Sequence, residues 1–172
     1  MIQVIDLQKV YNGVTVLNIP ELKIAQGESF GLVGNNGAGK TTFFRLILDL
    51  IEASKGGVMV DGEKVMRNDN WKLKVGSFLD EGFLIDFLTP EEYFAFVGKL
   101  YNKTEGDISF FLESMKDFFS TEILGSKKLI RDFSKGNQKK IGIAAALLGD
   151  PKVLILDEPF TALDPSSQIR LK

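Results

Sequence analysis

Apolar and polar residues alternate over the first stretch of the chain: Ile2, Val4 and Leu7, then Val14, Val16, Leu17 and Ile19, then Leu22 and Ile24. A period of two predicts half-buried strands. Turns are expected at Asn12-Gly13 and Gln26-Gly27, and Leu17–Ile19 and Leu22–Ile24 read as one strand interrupted at Pro20. The apolar run Phe30-Gly31-Leu32-Val33 reads as a further strand. Residues 41–51, TTFFRLILDLI, are apolar nearly all round and predict a buried helix, which Gly56-Gly57 closes off. VMVDG (58–62) and KVGSFLD (74–80) predict two short strands.

From Leu88 to Leu148 glycines thin out and the period changes to that of a helix. Thr89-Pro90-Glu91-Glu92 predicts a helix start, with Thr89 as the N-cap and Pro90 in the first position. Phe94, Val97, Leu100 and Tyr101 then share one face. Phe110, Phe111, Met115, Phe118 and Phe119 predict a second, aromatic-rich helix, and core packing is the reading preferred for these rings. KVLILDEP (152–159) returns to a fully apolar strand, the mark of a parallel sheet buried on both faces. Strands that enclose a helical insert make the chain α/β.

Composition narrows the chemistry. The chain has 172 residues, 44% of them apolar, and a net charge of −2. That fits one domain with a lobe and no strong field towards nucleic acid or anionic membrane. There is no cysteine, so disulfides and thiolate metal sites are excluded, and no histidine, so the commonest general base is missing. No apolar run approaches the ~20 residues that span a bilayer, and the N-terminal MIQVIDLQKV has no signal-type core. A membrane role would therefore work through a partner.

Gly34-Asn35-Asn36-Gly37-Ala38-Gly39-Lys40-Thr41, followed by Thr42, fits G-x-x-x-x-G-K-[ST]. Glycines let the backbone curl so that its N–H groups point inward at anionic oxygens, and the following helix brings its positive end to the same place. Lys40 would reach the β- and γ-phosphates, and Thr41 would offer its hydroxyl to Mg²⁺. A chance match in a chain of this length is roughly one in a hundred. Further on, Val153-Leu154-Ile155-Leu156 runs into Asp157-Glu158. A buried parallel strand delivers that acid pair to its C-terminal edge, where open α/β sheets bind ligands. Asp157 suits Mg²⁺, through water, and Glu158 suits orienting or deprotonating a water that attacks the γ-phosphate. The plain alternative is a solvated Asp-Glu before the turn at Pro159.

A third stretch, DFSKGNQKK (132–140), begins 25 residues before Asp157. It resembles the signature motif of ATP-binding-cassette (ABC) ATPases, and LDEPFTALDP (156–165) resembles the Walker B strand and D-loop of that family. The resemblance covers essentially the whole chain, in order. It implies a P-loop NTPase core with an antiparallel β subdomain at the N-terminus and an inserted α-helical subdomain. The implied limits are 1–87 for the β subdomain and P-loop core, 88–149 for the helical subdomain with the signature, and 150–172 for the Walker B strand and D-loop. Tyr11 sits where the family stacks an aromatic on adenine. Ser134 reads by itself as an N-cap, and together with Gly136 at a helix N-terminus it also reads as an anion site. The resemblance implies head-to-tail pairing of two domains, with Ser134 and Gly136 of one closing over the γ-phosphate held by Lys40 of the other. Asp164 would then lie at that interface.

Two departures stand out. Where the family usually carries a glutamine that touches Mg²⁺ and the attacking water, this chain has Asp80, followed by Glu81. An acid can bind Mg²⁺ but cannot donate as an amide does. The family's switch histidine lies on the order of 30 residues beyond the D-loop by ordinary element lengths, and its sheet threads a further strand between the cradle strand and the acid strand. The sequence ends at Lys172 without either, so the expectation is a truncated domain that hydrolyses ATP poorly. The resemblance implies an ATPase subunit of a membrane transporter with ATP and Mg²⁺ as its cofactors. It would be cytoplasmic, held to the inner face of the membrane by an integral-membrane partner, and it looks more like exporter subunits than importer ones. The alternatives are a soluble ABC ATPase acting on ribosomes or nucleic acid, and a nucleotide-binding module with little turnover. Only about 90 residues separate Thr41 from Ser134, with no heptads and no basic stripe, so no nucleic-acid partner is expected.

Overall fold

The computed structural model describes residues 1–119 and 122–171, in two separately packed units, Met1–Lys72 and Leu73–Lys172. The first unit contains β1 (Ile2–Tyr11), β2 (Val14–Ile24), α1 (Lys40–Ile47), β3 (Lys55–Val60) and β4 (Glu63–Lys64). Its sheet has the order β2-β1-β3-β4, every neighbour antiparallel. Asn12 and Gly13 both take left-handed φ values, 49° and 80°. That is the two-residue turn whose twist matches a hairpin. β2 runs through Pro20 unbroken on the sheet edge, where proline is tolerated. Pro20 falls between the pairs Ile5–Glu21 and Leu7–Ile19, opposite Asp6.

Asp6 explains an irregularity in the alternation. Ile2 and Val4 are buried, yet the next buried residue is Leu7. Asp6 has a φ of 49°, and the β1–β3 register shifts between Ile5 and Gln8. This bulge moves the chain on by one residue and returns Leu7 to the core face. Gly56 lies against it, since a Cβ there would collide with the Asp6 carbonyl oxygen. Gly56-Gly57 thus belongs to β3 and does not close the preceding helical segment. α1 itself stops at Ile47, short of the Ile51 expected. Asp49 takes a φ of 54°, its N–H donates to the Leu46 carbonyl, and the Leu50 N–H donates to that of Arg45 at 2.9 Å. This pair of bonds ends a helix sharply. Phe30–Val33 is not a strand: no ladder pairs it, and Val33 is 95% exposed. An apolar run becomes a strand only where a neighbour completes its hydrogen bonds, and the described sheet of this unit supplies none.

The second unit contains β5 (Val75–Phe78), α2 (Pro90–Leu100), α3 (Glu105–Ser114), α4 (Lys116–Phe119), α5 (Lys135–Leu148), β6 (Val153–Leu156) and α6 (Pro165–Leu171). β5 and β6 pair in parallel, from Val75–Val153 to Phe78–Leu156. α5 is the spine of the unit, buried from Lys139 to Ala146 and again at Leu148. It packs closely on β5, because Cβ atoms at Gly76 and Gly142 would strike the Ala146 carbonyl and the Phe78 ring. Thr89 caps α2 as expected, accepting from the Glu92 N–H while Glu92 accepts from the Thr89 N–H at 2.8 Å. Thr104 and Asp107 make the same reciprocal box at α3.

Two expected core positions are not core. Leu100 is 59% exposed and Phe110 80%. The buried face of α2 is set by Phe94 and Gly98, and Leu100 lies about 120° round the helix from Phe94. Ile108 is the buried residue of α3, and Phe110 falls on the far side of it. Phe94, Phe118 and Phe119 are buried together, with the rings of Phe94 and Phe119 edge to face at 5.6 Å.

Candidate functional site

In the first unit the segment from Gly34 to Thr42 forms a loop running into α1. Gly37 and Gly39 have φ values of 82° and 87°. Gly39 is the N-cap of α1, and no side chain caps that end. A Cβ at Gly39 would lie 2.8 Å from the Val16 carbonyl oxygen, so the residue must be glycine both for its backbone angle and for its approach to β2. Lys40 folds back over the loop, its Nζ donating to the carbonyls of Gly34 at 2.7 Å and Asn35 at 3.1 Å. The Ala38 N–H donates to the Asn35 carbonyl, and Gly34 lies close against the Ala38 side chain. Asn36, Gly37 and Ala38 are exposed, and Lys40, Thr41 and Thr42 half-buried. The first turn of α1 contains no acidic residue. An uncapped helix start beside a lysine and two threonine hydroxyls is a fit for phosphate. Tyr11 pairs with Val14 at the hairpin end of β1, two residues from the Val16 that meets Gly39. Its ring is 45% exposed, with the Lys9 ammonium 4.7 Å from the ring centroid.

In the second unit the parallel register Phe78–Leu156 makes β5 and β6 end together. Asp80-Glu81 and Asp157-Glu158 therefore leave the same sheet edge, and the Asp157 N–H donates to the Phe78 carbonyl at 3.0 Å. Asp80 uses one carboxylate oxygen to cap the 3₁₀ turn Glu81–Phe83, accepting from the Gly82 N–H at 2.8 Å. Among the described residues no three acidic side chains gather into a metal-binding group. Within this unit Asp157 directly follows the strand end Leu156, and Asp80 follows the paired strand end Phe78 after Leu79. Glu158 has a left-handed φ of 45°.

Ser134 caps α5, accepting from the Asn137 N–H at 3.3 Å, so its N-cap role is realised while its own O–H keeps a proton to donate. A Cβ at Gly136 would lie 2.5 Å from the Ala162 carbonyl oxygen, and this close approach seats α5 on the turn before α6. Asp164 is engaged within its own unit. It accepts from the buried Lys140 ammonium at 2.8 Å, and from the hydroxyls of Ser166 and Ser167 and the Ser167 N–H. The lysine first, then these serine donors, hold the Asp164 carboxyl well below the usual carboxylate range.

A family model for ABC transporters matches residues 17–161. The chain belongs to the ABC transporter family. Among its relatives, the ABC transporter ATP-binding protein NatA of Bacillus subtilis is 37% identical over 148 residues, 85% of this chain and 60% of NatA. The linearmycin resistance ATP-binding protein LnrL of the same organism is 34% identical over 170 residues, 98% of this chain and 54% of LnrL. A solved structure of the ATP binding subunit of an ABC transporter superposes with a TM-score of 0.88 at 28% identity, covering 99% of this chain and 71% of that one. The P-loop NTPase fold expected from the motifs is therefore the fold of the chain. The chain spans about half the length of the curated relatives it matches.

In this ABC chain the signature segment does more than Ser134 and Gly136 indicated. Gln138 donates from its amide to the carbonyls of Ile130 and Phe133, both at 3.1 Å, and ties down the loop before the helix. Lys139 and Lys140 are buried at 7% and 4% exposure. Their signal was on the page as two lysines opening an otherwise apolar helix, KKIGIAAALL. Lysine at that burial is rare without a partner, and each has one.

Proposed function

We propose that this chain is the nucleotide-binding part of an ATPase subunit that powers transport across a membrane. The observation that carries the reading is the glycine loop closed by Lys40 at the uncapped start of α1. Backbone N–H groups of residues 37–41 and the Lys40 ammonium bind and orient the β- and γ-phosphates. Tyr11 offers an exposed ring for the adenine, and Asn35, Asn36, Ala38 and Thr42 complete the loop. Thr41 and Asp157, with Asp80 in the glutamine position, would hold Mg²⁺, which when bound neutralises charge on the phosphate oxygens. Glu158 accepts a proton from the attacking water. Ser134 and Gly136 offer donors to the γ-phosphate of a second copy in a head-to-tail dimer, with Asp164 at that interface.

No helix among the described residues is long and apolar enough to cross a membrane, so an integral-membrane partner subunit would place the chain at the inner face of the membrane. Phe83, Phe87, Phe96 and Leu100 are all exposed in one stretch around α2, and such apolar surface suits a partner. Export is the proposed direction, supported by the resistance function in the name of LnrL and by the SKGNQ form of the signature. Glu158→Gln tests the chemistry. It should keep ATP binding and lower turnover by about 100-fold or more, the scale of a lost general base; undiminished turnover removes Glu158 from that role.

A further inference from the structure

We propose that Lys139 is a positioning residue that holds the main chain of Glu158 in the left-handed turn from which its carboxylate works. This rests on the role of Glu158 proposed above and adds to it a residue on a different element. The Lys139 ammonium, buried within the second unit, donates to the Glu158 carbonyl oxygen at 3.0 Å. Its other neighbour is the Glu81 carboxylate at 4.0 Å. A buried lysine normally faces carboxylates; here its shortest contact is to a backbone carbonyl.

That carbonyl belongs to a residue in an unfavourable conformation. Glu158 is not glycine, yet its φ is 45°, at a cost of about 1–3 kcal/mol unless the surroundings enforce it. Two donors fix the carbonyl, the Lys139 ammonium and the Thr161 N–H at 3.2 Å. The Thr161 hydroxyl lies 3.5 Å from the Glu158 carboxylate. The chain around it is held as well. Asp157 is tied to Phe78 through its N–H, and the Ala162 carbonyl lies where only a glycine at 136 leaves it room. Lys139 lies one helical turn from Gly136 along α5. It therefore connects three segments of the unit: the signature helix, the Glu81 turn after β5, and the turn that carries Glu158. A flexible aliphatic residue at 139 would fill the same space and supply no donor. The Glu158 turn would then relax, and its carboxylate would lose its aim.

The test compares Lys139→Met, which keeps the stem, with Lys139→Arg, which keeps the charge and the donor. In the Met variant kcat should fall about 10- to 100-fold, the cost of a misplaced catalytic group, while KM and the Kd for Mg-ATP stay within about twofold. Amide exchange over residues 157–163 should speed up at the same time, and the Arg variant should restore most of both. Placed in the Glu158→Gln background, Lys139→Met should lower turnover no further. An unchanged kcat with unchanged exchange overturns the proposal, as does an equal loss in Met and Arg or a fully additive double variant. If Lys139→Met does not fold, Lys139→Gln reads the same way, with a kcat loss of about 3- to 10-fold expected and none contradicting. Undiminished turnover in Glu158→Gln alone would instead remove the reading on which the proposal stands.

Discussion

The two helix starts that bear the motifs are built in opposite ways. α1 begins at a left-handed glycine with no side-chain cap and with a lysine folded over the preceding loop. α5 begins at a serine whose hydroxyl is already used as a cap, and its first turns are fastened to neighbouring segments through Gly136, Lys139 and Lys140. Every helix start exposes N–H groups without intrahelical partners. In α5 the Ser134 hydroxyl answers one of these groups, the Asn137 N–H; at α1 no side chain caps the start. The difference separates a helix start left without a side-chain cap from one fastened to the segments around it.

That contrast can be broken at its open end first. Gly39→Ala should cost about 2–4 kcal/mol of stability in the first unit, from the left-handed angle and the overlap with the Val16 carbonyl. It should also remove nucleotide binding; a thermal melt and an ATP titration check both. At the fastened end, Gly136→Ala should cost about 1–3 kcal/mol by pushing on the Ala162 carbonyl, measured by urea unfolding. Ser134→Ala removes only a cap and should cost about 1 kcal/mol. The smallest effect concerns acid. The Asp164 carboxyl is held low in the folded protein, so its contribution is complete above the unfolded carboxylate value of about 3.9 and declines as pH falls below that. Thermal melts between pH 7 and pH 3 should show a shallower acid decline in Asp164→Asn than in the native chain.

The motifs were legible because their chemistry needs fixed residue types at fixed spacing. Gly34 to Thr41, the acid pair after the strand and the Ser134 segment can be picked out in that way, although β6 is not buried on both faces as expected: Leu154 is 40% exposed and only Ile155 is buried. The Thr89 cap was legible too, since Thr-Pro-Glu-Glu states a helix start in local terms. What could not be read depends on neighbours. Phe30–Val33 has the composition of a strand but no ladder partner. The Asp6 bulge appears in sequence only as a break in alternation, and the room it needs comes from the missing Cβ at Gly56 across the sheet. Leu100 is expected on one helix face with Phe94, Val97 and Tyr101, and Phe110 in an aromatic-rich helix, but the buried faces are set by Phe94 and Gly98 in α2 and by Ile108 in α3. The burial of Lys139 and Lys140 ran against the usual expectation for lysine and became intelligible only once Glu158 and Asp164 were seen beside them.

The central claim is that main-chain donors of a glycine loop, closed by Lys40, grip the phosphates of a nucleotide. Calorimetric titration of Mg-ATP into the native chain and into Lys40→Ala tests it most directly. Charge-assisted hydrogen bonds of about 1.5–3 kcal/mol translate to roughly 10- to 100-fold in affinity. The expected result is a saturable heat in the native protein and binding weakened by that factor in the variant. Equal affinity in the two proteins, or no heat in either, would contradict it.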